Sequence, residues 1–322
     1  MALYKHLRPV PATRPFRGPR RFPAPHNLRK GMPGTEHNGR FLLQQLLGCG
    51  GVCEVYAALD LRRVEWSDAS PQVAVKRLLP ELTRNYQAQL ALAQEFCILR
   101  HLVHPGVVRV FDLHNEPFGL CYSMELLQGR NAGEIRPGDL PGAALATMTA
   151  RFFDALAFLH AQGIAHGDIK PANLLLKSGE RPVLIDFNVA AASVRKGGTP
   201  AAVVGLRESL RVPAHSLLYS SPERLEGGPP SMEDDIFSAC CTVHEVFSGA
   251  HPFKRLSPAE ARQQDMVPAR PPGIPPFLWP LLRRGLAFQA QARPDAASLR
   301  RAFAAWSALC NCTGQVRNFF TP

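Results

Sequence analysis

Long uninterrupted apolar runs are missing from this 322-residue chain. Its most apolar stretches are broken by Arg151 and Asp154, or by His244 and Glu245, well short of the roughly 20 residues that a membrane-spanning helix needs. No transmembrane segment is therefore expected. Paired CxxC spacing is missing too. The eight cysteines (Cys49, Cys53, Cys97, Cys121, Cys240, Cys241, Cys310 and Cys312) lie scattered in apolar contexts without a signal-peptide pattern. Reduced, mostly buried thiols in the cytoplasm are the expectation, and Cys310-Asn311-Cys312 is too isolated to form a metal site. Acidic residues are scarce in one stretch: residues 1–40 set nine Lys/Arg against Glu36 alone, which places +8 of the +11 net charge there. Seven prolines share that stretch. It cannot bury enough apolar surface to order itself, so it reads as a flexible basic arm. Such an arm is either a solvated tail or a dock for an acidic partner, be it protein, nucleic acid or acidic lipid. The rest of the chain is only +3, so nothing beyond the arm points to nucleic acid.

What is present is ordinary for a globular protein: 46% hydrophobic and 20% charged residues, and length enough for one or two domains with a substantial core. Order is expected from Phe41. FLLQQLLGCGGVCEVYAALD reads as a strand, a glycine-rich turn and a second strand. Gly48, Gly50 and Gly51 would let backbone N–H groups approach an anionic phosphate chain without Cβ obstruction, a weak signal when alone. QVAVKRL alternates, with Val73 and Val75 on one face and Ala74 and Lys76 on the other. A lysine beside a small alanine leaves room for a flat ligand and offers a charge to its phosphates, although an edge-strand surface lysine reads the same way. A helix is expected over about 86–102, with Leu92, Glu95, Leu99 and Leu102 on one face. A carboxylate on an apolar face needs a cation, and Lys76 is the candidate. HPGVVRVFDLH and GLCYSMELL add two strands, and Gly129 looks like a connection into a second lobe. Leu145, Met148, Phe152, Leu156 and Leu159 then mark an amphipathic helix over 143–160.

That helix leads into IAHGDIKPANLLL, followed by the short strand RPVLIDFNVA. Phosphoryl transfer asks little covalent chemistry of a protein: a carboxylate for the hydroxyl proton, hard oxygen ligands for Mg²⁺, and cations near the γ-phosphate. Asp168, then Asn173 and Asp186, then Lys170 are residue types suited to those roles.

At this point the chain resembles the eukaryotic-type serine/threonine protein kinases, most of all their compact bacterial members. LGCGGVCEVY matches the glycine-rich loop, VAVK the third strand, Glu95 the αC glutamate and HGDIKPANLLL the catalytic loop. IDFN stands where DFG is usual, YSSPERL closes the activation segment, DDIFSACCTVHEVFSGAHPF resembles αF with Asp235 at its buried aspartate, and ARPDAASL places Arg293 to pair with Glu223. The motifs run in family order over residues 41–308. The resemblance implies an α+β bilobal fold: a β-rich N-lobe over 41–124, a hinge over 125–129 and a helical C-lobe over 130–308. The arm would precede it and a short tail, 309–322, would follow.

It also implies ATP and Mg²⁺ as cofactors and protein Ser/Thr hydroxyls as substrates, the chain's own among the candidates. Gly48, Gly50 and Gly51 would cover the phosphates, Val55 and Ala74 the adenine from above, and Leu175 from beneath. Lys76, oriented by Glu95, would hold the α/β-phosphates. Met124 would be the gatekeeper, with Glu125 and Leu127 offering backbone hydrogen bonds to the adenine. Asp168 would be the catalytic base, Lys170 would steady the γ-phosphate, and Asn173 and Asp186 would bind Mg²⁺. Ser216 would contact Asp168 and Lys170.

Four positions depart from the pattern. Cys53 replaces the third loop glycine, Asn188 the DFG glycine and Cys240 a glycine in αF. Gly167 replaces the arginine that in most relatives pairs with a phosphorylated activation-loop residue. Activity independent of that phosphate contact is expected, with Arg195, Lys196, Arg207 and Arg211 as possible substitutes for the missing cation. Two rival readings stay open. A small-molecule kinase often carries His-Gly-Asp but lacks Lys170-Pro171, Ser-Pro-Glu and its arginine partner. A pseudokinase would explain the departures, against which every group for nucleotide, metal and proton handling is present. Single residues also admit an architectural reading: Asp235 and Arg293 as scaffold, His166 packed in the core, and Glu125 acting only through its backbone.

Overall fold

The computed structural model describes residues 36–37, 39–177, 180–187, 191–192 and 218–319. The expectations for the basic arm, for Asn188 and Ser216, and for the four loop arginines and lysines fall outside them.

Alternating β-formers build one antiparallel sheet from β1 (Glu36–His37), β2 (Phe41–Cys49), β3 (Cys53–Asp60), β4 (Gln72–Leu78), β5 (Val110–Glu116) and β6 (Gly119–Met124), in the order β1-β2-β3-β4-β6-β5. A short α1 (Leu61–Glu65) follows β3, and α2 (Tyr86–Leu99) follows β4. Asn85 starts α2 by accepting a hydrogen bond from Ala88 N at 3.0 Å. The helix ends three residues earlier than expected, yet Leu102 is buried with Leu92, Glu95 and Leu99.

The period of two divides the sheet into two faces, each with its own apolar cluster. Val73, Val75 and Cys121 pack outward with Phe41, Leu43 and Ala58. Leu78 and Tyr122 face inward, joining Leu92, Phe96 and Leu99 of α2 and a core that runs on through Phe187 into the helical part.

Gly129 does not stay in a free connection. It opens β7 (Gly129–Asn131), which pairs with β9 (Leu174–Lys177), itself paired with β10 (Arg181–Leu184). A built Cβ on Gly129 would stand 1.8 Å from the Leu176 carbonyl oxygen, which explains the glycine there. A two-stranded ladder joins β8 (Ile164–Ala165) to β11 (Ala191–Ala192).

The helical part holds α3 (Gly142–Ala161), α4 (Pro222–Leu225), α5 (Met232–Ser248), α6 (Pro258–Gln263), α7 (Trp279–Gly285) and α8 (Ala296–Phe319). By length and composition α3 is the one helix among the described residues able to cross a membrane, despite Arg151 and Asp154. Its packing gives it another role, since Phe152, Phe153, Leu156 and Leu159 are buried in the core. Ser231 and Asp234 form a capping box at the start of α5, and Gly249 in the left-handed region (φ +72°) closes it.

Candidate active site

The inner face of the sheet gathers the residues read as ligand-binding. Val55 lies opposite Lys76, and Ala57 opposite Ala74. Ala74 is in turn opposite Met124, and Lys76 opposite Tyr122. Gly48, next to last in β2, lies opposite Val55, and the turn is fixed by a 2.8 Å hydrogen bond from Gly50 N to Cys53 O. A Cβ built on Gly48 or Gly51 would meet nothing within 4 Å, so the protein's own packing does not demand glycine there. Open space beside bare backbone fits a phosphate chain approaching the loop. Cys53 begins β3 with its thiol buried among Lys76, Glu95 and Asp186, and burial pushes that thiol up to about 12.

Lys76 is the hub. Its Nζ stands 2.8 Å from Glu95 Oε1 and 2.8 Å from Asp186 Oδ1. Phe187 N also donates to Glu95 Oε1, at 3.0 Å. Burial opposes the charge on Lys76, but the two carboxylates overcome it and hold the ammonium well above its ordinary value. Asp186 is likewise pushed up by burial and pulled below its usual range by Lys76. For Glu95 burial prevails and its carboxyl is raised. Asp186 adopts φ +66°, a conformation rare for a non-glycine residue.

The catalytic-loop stretch forms a second cluster. Lys170 Nζ stands 2.8 Å from Asp168 Oδ2, and Asn173 Nδ2 donates to the same oxygen at 3.0 Å and to Asp168 O at 2.8 Å. Among the described residues Asp168 Oδ1 takes no hydrogen bond, so it is available to a substrate hydroxyl. With Asn173 donating through its nitrogen, its amide oxygen remains for a cation. Asn173 and Asp186 supply hard oxygens, too few for a metal cage but suited to Mg²⁺, which keeps waters and phosphate oxygens as its other ligands. Among the described residues no group of three His, Cys, Asp or Glu side chains could hold a metal by itself.

Buried Asp235 of α5 anchors this loop from below. Its Oδ2 accepts from His166 N at 2.7 Å and lies 3.0 Å from His160 Nε2, while Oδ1 accepts from Gly167 N at 2.8 Å. His166 is fully buried, with Nε2 3.1 Å from Ile185 O, as the packing reading expected. Arg293 Nη2 pairs with Glu223 at 3.0 Å and its other nitrogens reach Glu233 O and Ala287 O, tying α4 to α5 and the loop before α8.

At the connection after β6, the Glu125 carbonyl and Leu127 N–H make no hydrogen bond with another described residue, which leaves one acceptor and one donor for a planar ligand. Leu175 of β9 is half-buried. The expectation that Glu125 acts only through its backbone is corrected by its carboxylate. Oε1 accepts from Arg109 N at 3.1 Å and Oε2 pairs with Lys177 Nζ at 2.8 Å, so the side chain ties the connection to both β5 and β9. Sequence reasoning also passed over Tyr122. Its place two residues before Met124 on an alternating strand was the available signal, since that spacing puts both side chains on one face.

Comparison with known proteins gives the family. Residues 41–299 match the protein kinase domain family. A serine/threonine-protein kinase PkaA of Streptomyces coelicolor is 34% identical over 275 residues, covering 81% of this chain and 49% of the relative. A serine/threonine-protein kinase PknB of Mycobacterium tuberculosis is 31% identical over 278 residues, covering 82% and 42%. PknH of the same species, also a serine/threonine-protein kinase, is 29% identical over 264 residues, covering 79% and 40%. The chain spans half or less of the length of these relatives. With the motifs in order, the Lys76–Glu95 pair formed and the family match spanning the fold, the chain belongs to the protein kinase family and resembles bacterial serine/threonine-protein kinases.

Proposed function

We propose that this chain is an ATP- and Mg²⁺-dependent serine/threonine protein kinase whose catalytic base is Asp168. The observation that carries the reading is Lys76 Nζ held 2.8 Å from both Glu95 and Asp186, with the charge of Lys170, the partner of Asp168, also acting on Asp186. Lys76 neutralises phosphate charge, and Glu95 fixes its reach. The Glu125 carbonyl and Leu127 N–H orient the adenine between Val55, Ala74 and Leu175, with Met124 behind. Asn173 and Asp186 hold Mg²⁺, which when bound spreads the charge that develops on the transferring phosphoryl group.

Asp168 Oδ1 accepts the proton of a substrate Ser/Thr hydroxyl as that oxygen bonds to the γ-phosphorus and ADP leaves. Lys170 keeps Asp168 oriented and adds positive charge nearby. Ser216 joins that pair in this reading. The substrates are protein hydroxyls, the chain's own included, in the cytoplasm, and the Arg-rich segment 1–40 docks an acidic partner. Without an arginine at position 167 the enzyme is of the non-RD type, active without the usual phosphate contact.

The test is labelled-ATP transfer onto generic protein acceptors, with sugars and amines as competing acceptors. Transfer onto Ser/Thr that falls by two orders of magnitude or more in Asp168→Asn is expected. Nucleotide binding without transfer to any acceptor would sink the kinase reading in favour of a scaffold.

A further inference from the structure

Tyr122 has a place in the site that no motif assigns. Its register opposite Lys76 puts the two side chains on the same sheet face, roughly 5 Å apart at Cβ. The phenol is 1% exposed, and its ring centroid lies 5.9 Å from that of Phe96, the residue after Glu95 on α2. The ring therefore fills the wedge between β4, β6 and the turn of α2 that carries Glu95.

The two oxygens of Glu95 are served unequally. Oε1 receives both Lys76 Nζ and Phe187 N. Oε2 is buried and completes no hydrogen bond. A buried carboxylate oxygen left this way keeps its full desolvation penalty, so a neighbouring donor on the same sheet face as Lys76 has a use. The Tyr122 hydroxyl favours the charged form of Glu95, while Oε2 itself completes no hydrogen bond. Glu95 in return, after burial, keeps the phenol protonated. The groups facing this pair are Lys76 on β4, Cys53 on β3 and Asp186 beyond β10.

Lys76 is shared between Glu95 and Asp186, and a phosphate chain would draw part of its charge away from both. A second donor that is neutral and cannot be drawn off would keep Glu95 ionised and α2 in place. We propose that Tyr122 is a positioning residue whose hydroxyl is the donor reserved for Glu95 Oε2, holding Lys76 in register for nucleotide phosphates. The proposal rests on the nucleotide-binding part of the kinase reading and not on phosphoryl transfer.

The experiment measures Mg-ATP affinity by calorimetry, against pH, for the full chain and for Tyr122→Phe and Tyr122→Leu. Both variants should bind Mg-ATP about tenfold more weakly, with KM for ATP raised more than kcat is lowered. The acid limb of the affinity profile should move to higher pH, because Glu95 protonates more readily without the donor. In a Glu95→Gln background Tyr122→Phe should have no further effect. Unchanged affinity and an unchanged acid limb in Tyr122→Phe would overturn the proposal. So would a loss of the same size in the Glu95→Gln background, which would mark packing alone. A chain that binds Mg-ATP in a Tyr122-dependent way but transfers no phosphate would sink the kinase reading and leave this one standing.

Discussion

Gly167 N donates to Asp235 Oδ1 at 2.8 Å, and Gly167 holds φ +78° while it does so. The buried carboxylate grips two successive amides, His166 and Gly167, and the backbone between them turns into the left-handed region. The missing arginine therefore has a second meaning: glycine adopts this conformation without steric cost, and a side chain there would be strained.

Gly167→Arg should consequently destabilise the chain by about 1–2 kcal/mol. It should also fail to raise activity unless the segment before Ser221 carries phosphate. Denaturant unfolding together with activity before and after phosphatase treatment checks both. A variant as stable as the parent would show that Asp235 does not enforce the turn.

Cys240 and Gly285 form a knob and its hole. A Cβ on Gly285 would stand 2.2 Å from Cys240 Sγ and 3.2 Å from its Cβ. The side chain that stands where the family has a glycine in αF thus packs against a glycine on α7. Gly285→Ala should cost about 1–3 kcal/mol by overpacking. Adding Cys240→Gly should recover most of that loss, giving a coupling well above the few tenths expected for independent sites. Additive losses would count against the pairing.

His251 supplies an acid-sensitive element. It is buried against Tyr219 and Phe253, and burial pushes its ring down to about 4 from an ordinary 6.5, with Arg255 and His244 lowering it further. The folded state holds the neutral ring, so its contribution is fully present above pH 6.5 and is lost as pH falls toward 4. The shift corresponds to about 3 kcal/mol at full size. Unfolding free energy measured against pH should slope downward through that window, and less steeply in His251→Gln. Equal slopes would assign the acid sensitivity elsewhere.

Cysteine reactivity should separate the two glycine-loop thiols. Cys49 is exposed at the end of β2, whereas Cys53 is buried with its thiol pushed up to about 12. Brief alkylation followed by peptide mass spectrometry should label Cys49, Cys97 and Cys312 and spare Cys53, Cys121, Cys240 and Cys241. Mg-ATP should slow labelling at Cys49 alone. Protection of Cys97 to the same degree would point to a global change instead.

The Glu125 carboxylate bridges Arg109 N and Lys177 Nζ, away from the adenine-facing backbone. Glu125→Ala should weaken nucleotide binding several-fold by loosening the connection, while Lys177→Met, which leaves the Arg109 bond, should have a smaller effect. Calorimetric titration with ADP distinguishes the two. A larger loss in Lys177→Met would mean that the ion pair, not the backbone bond, holds the connection.

Much of the site was legible because its chemistry is local in the chain. Asp168, Lys170 and Asn173 fall within six residues, and Lys76 next to Ala74 follows from strand alternation. The hidden parts depend on partners remote in sequence. Glu125 looked like a backbone-only residue because Lys177 is 52 positions away. Cys240 looked like a bare packing change because Gly285, which it packs against, lies on another helix. The start of α2 at Tyr86 was legible, whereas its end at Leu99 fell three residues short of the expected one, because apolar spacing runs on past the last helical turn.

Residue types and the order of the motifs alone determined the family to which this chain belongs, since each motif carries a functional group that phosphate, metal or proton handling would require. Only the tertiary structure decided how those groups share one another. It placed Lys76 between two carboxylates, left Glu95 Oε2 buried without a hydrogen bond, and bent the backbone at Gly167 around Asp235. The reason is that burial sets the cost of each unpaired oxygen and charge, and burial exists only once the sheet, α2 and α5 have closed on the same core.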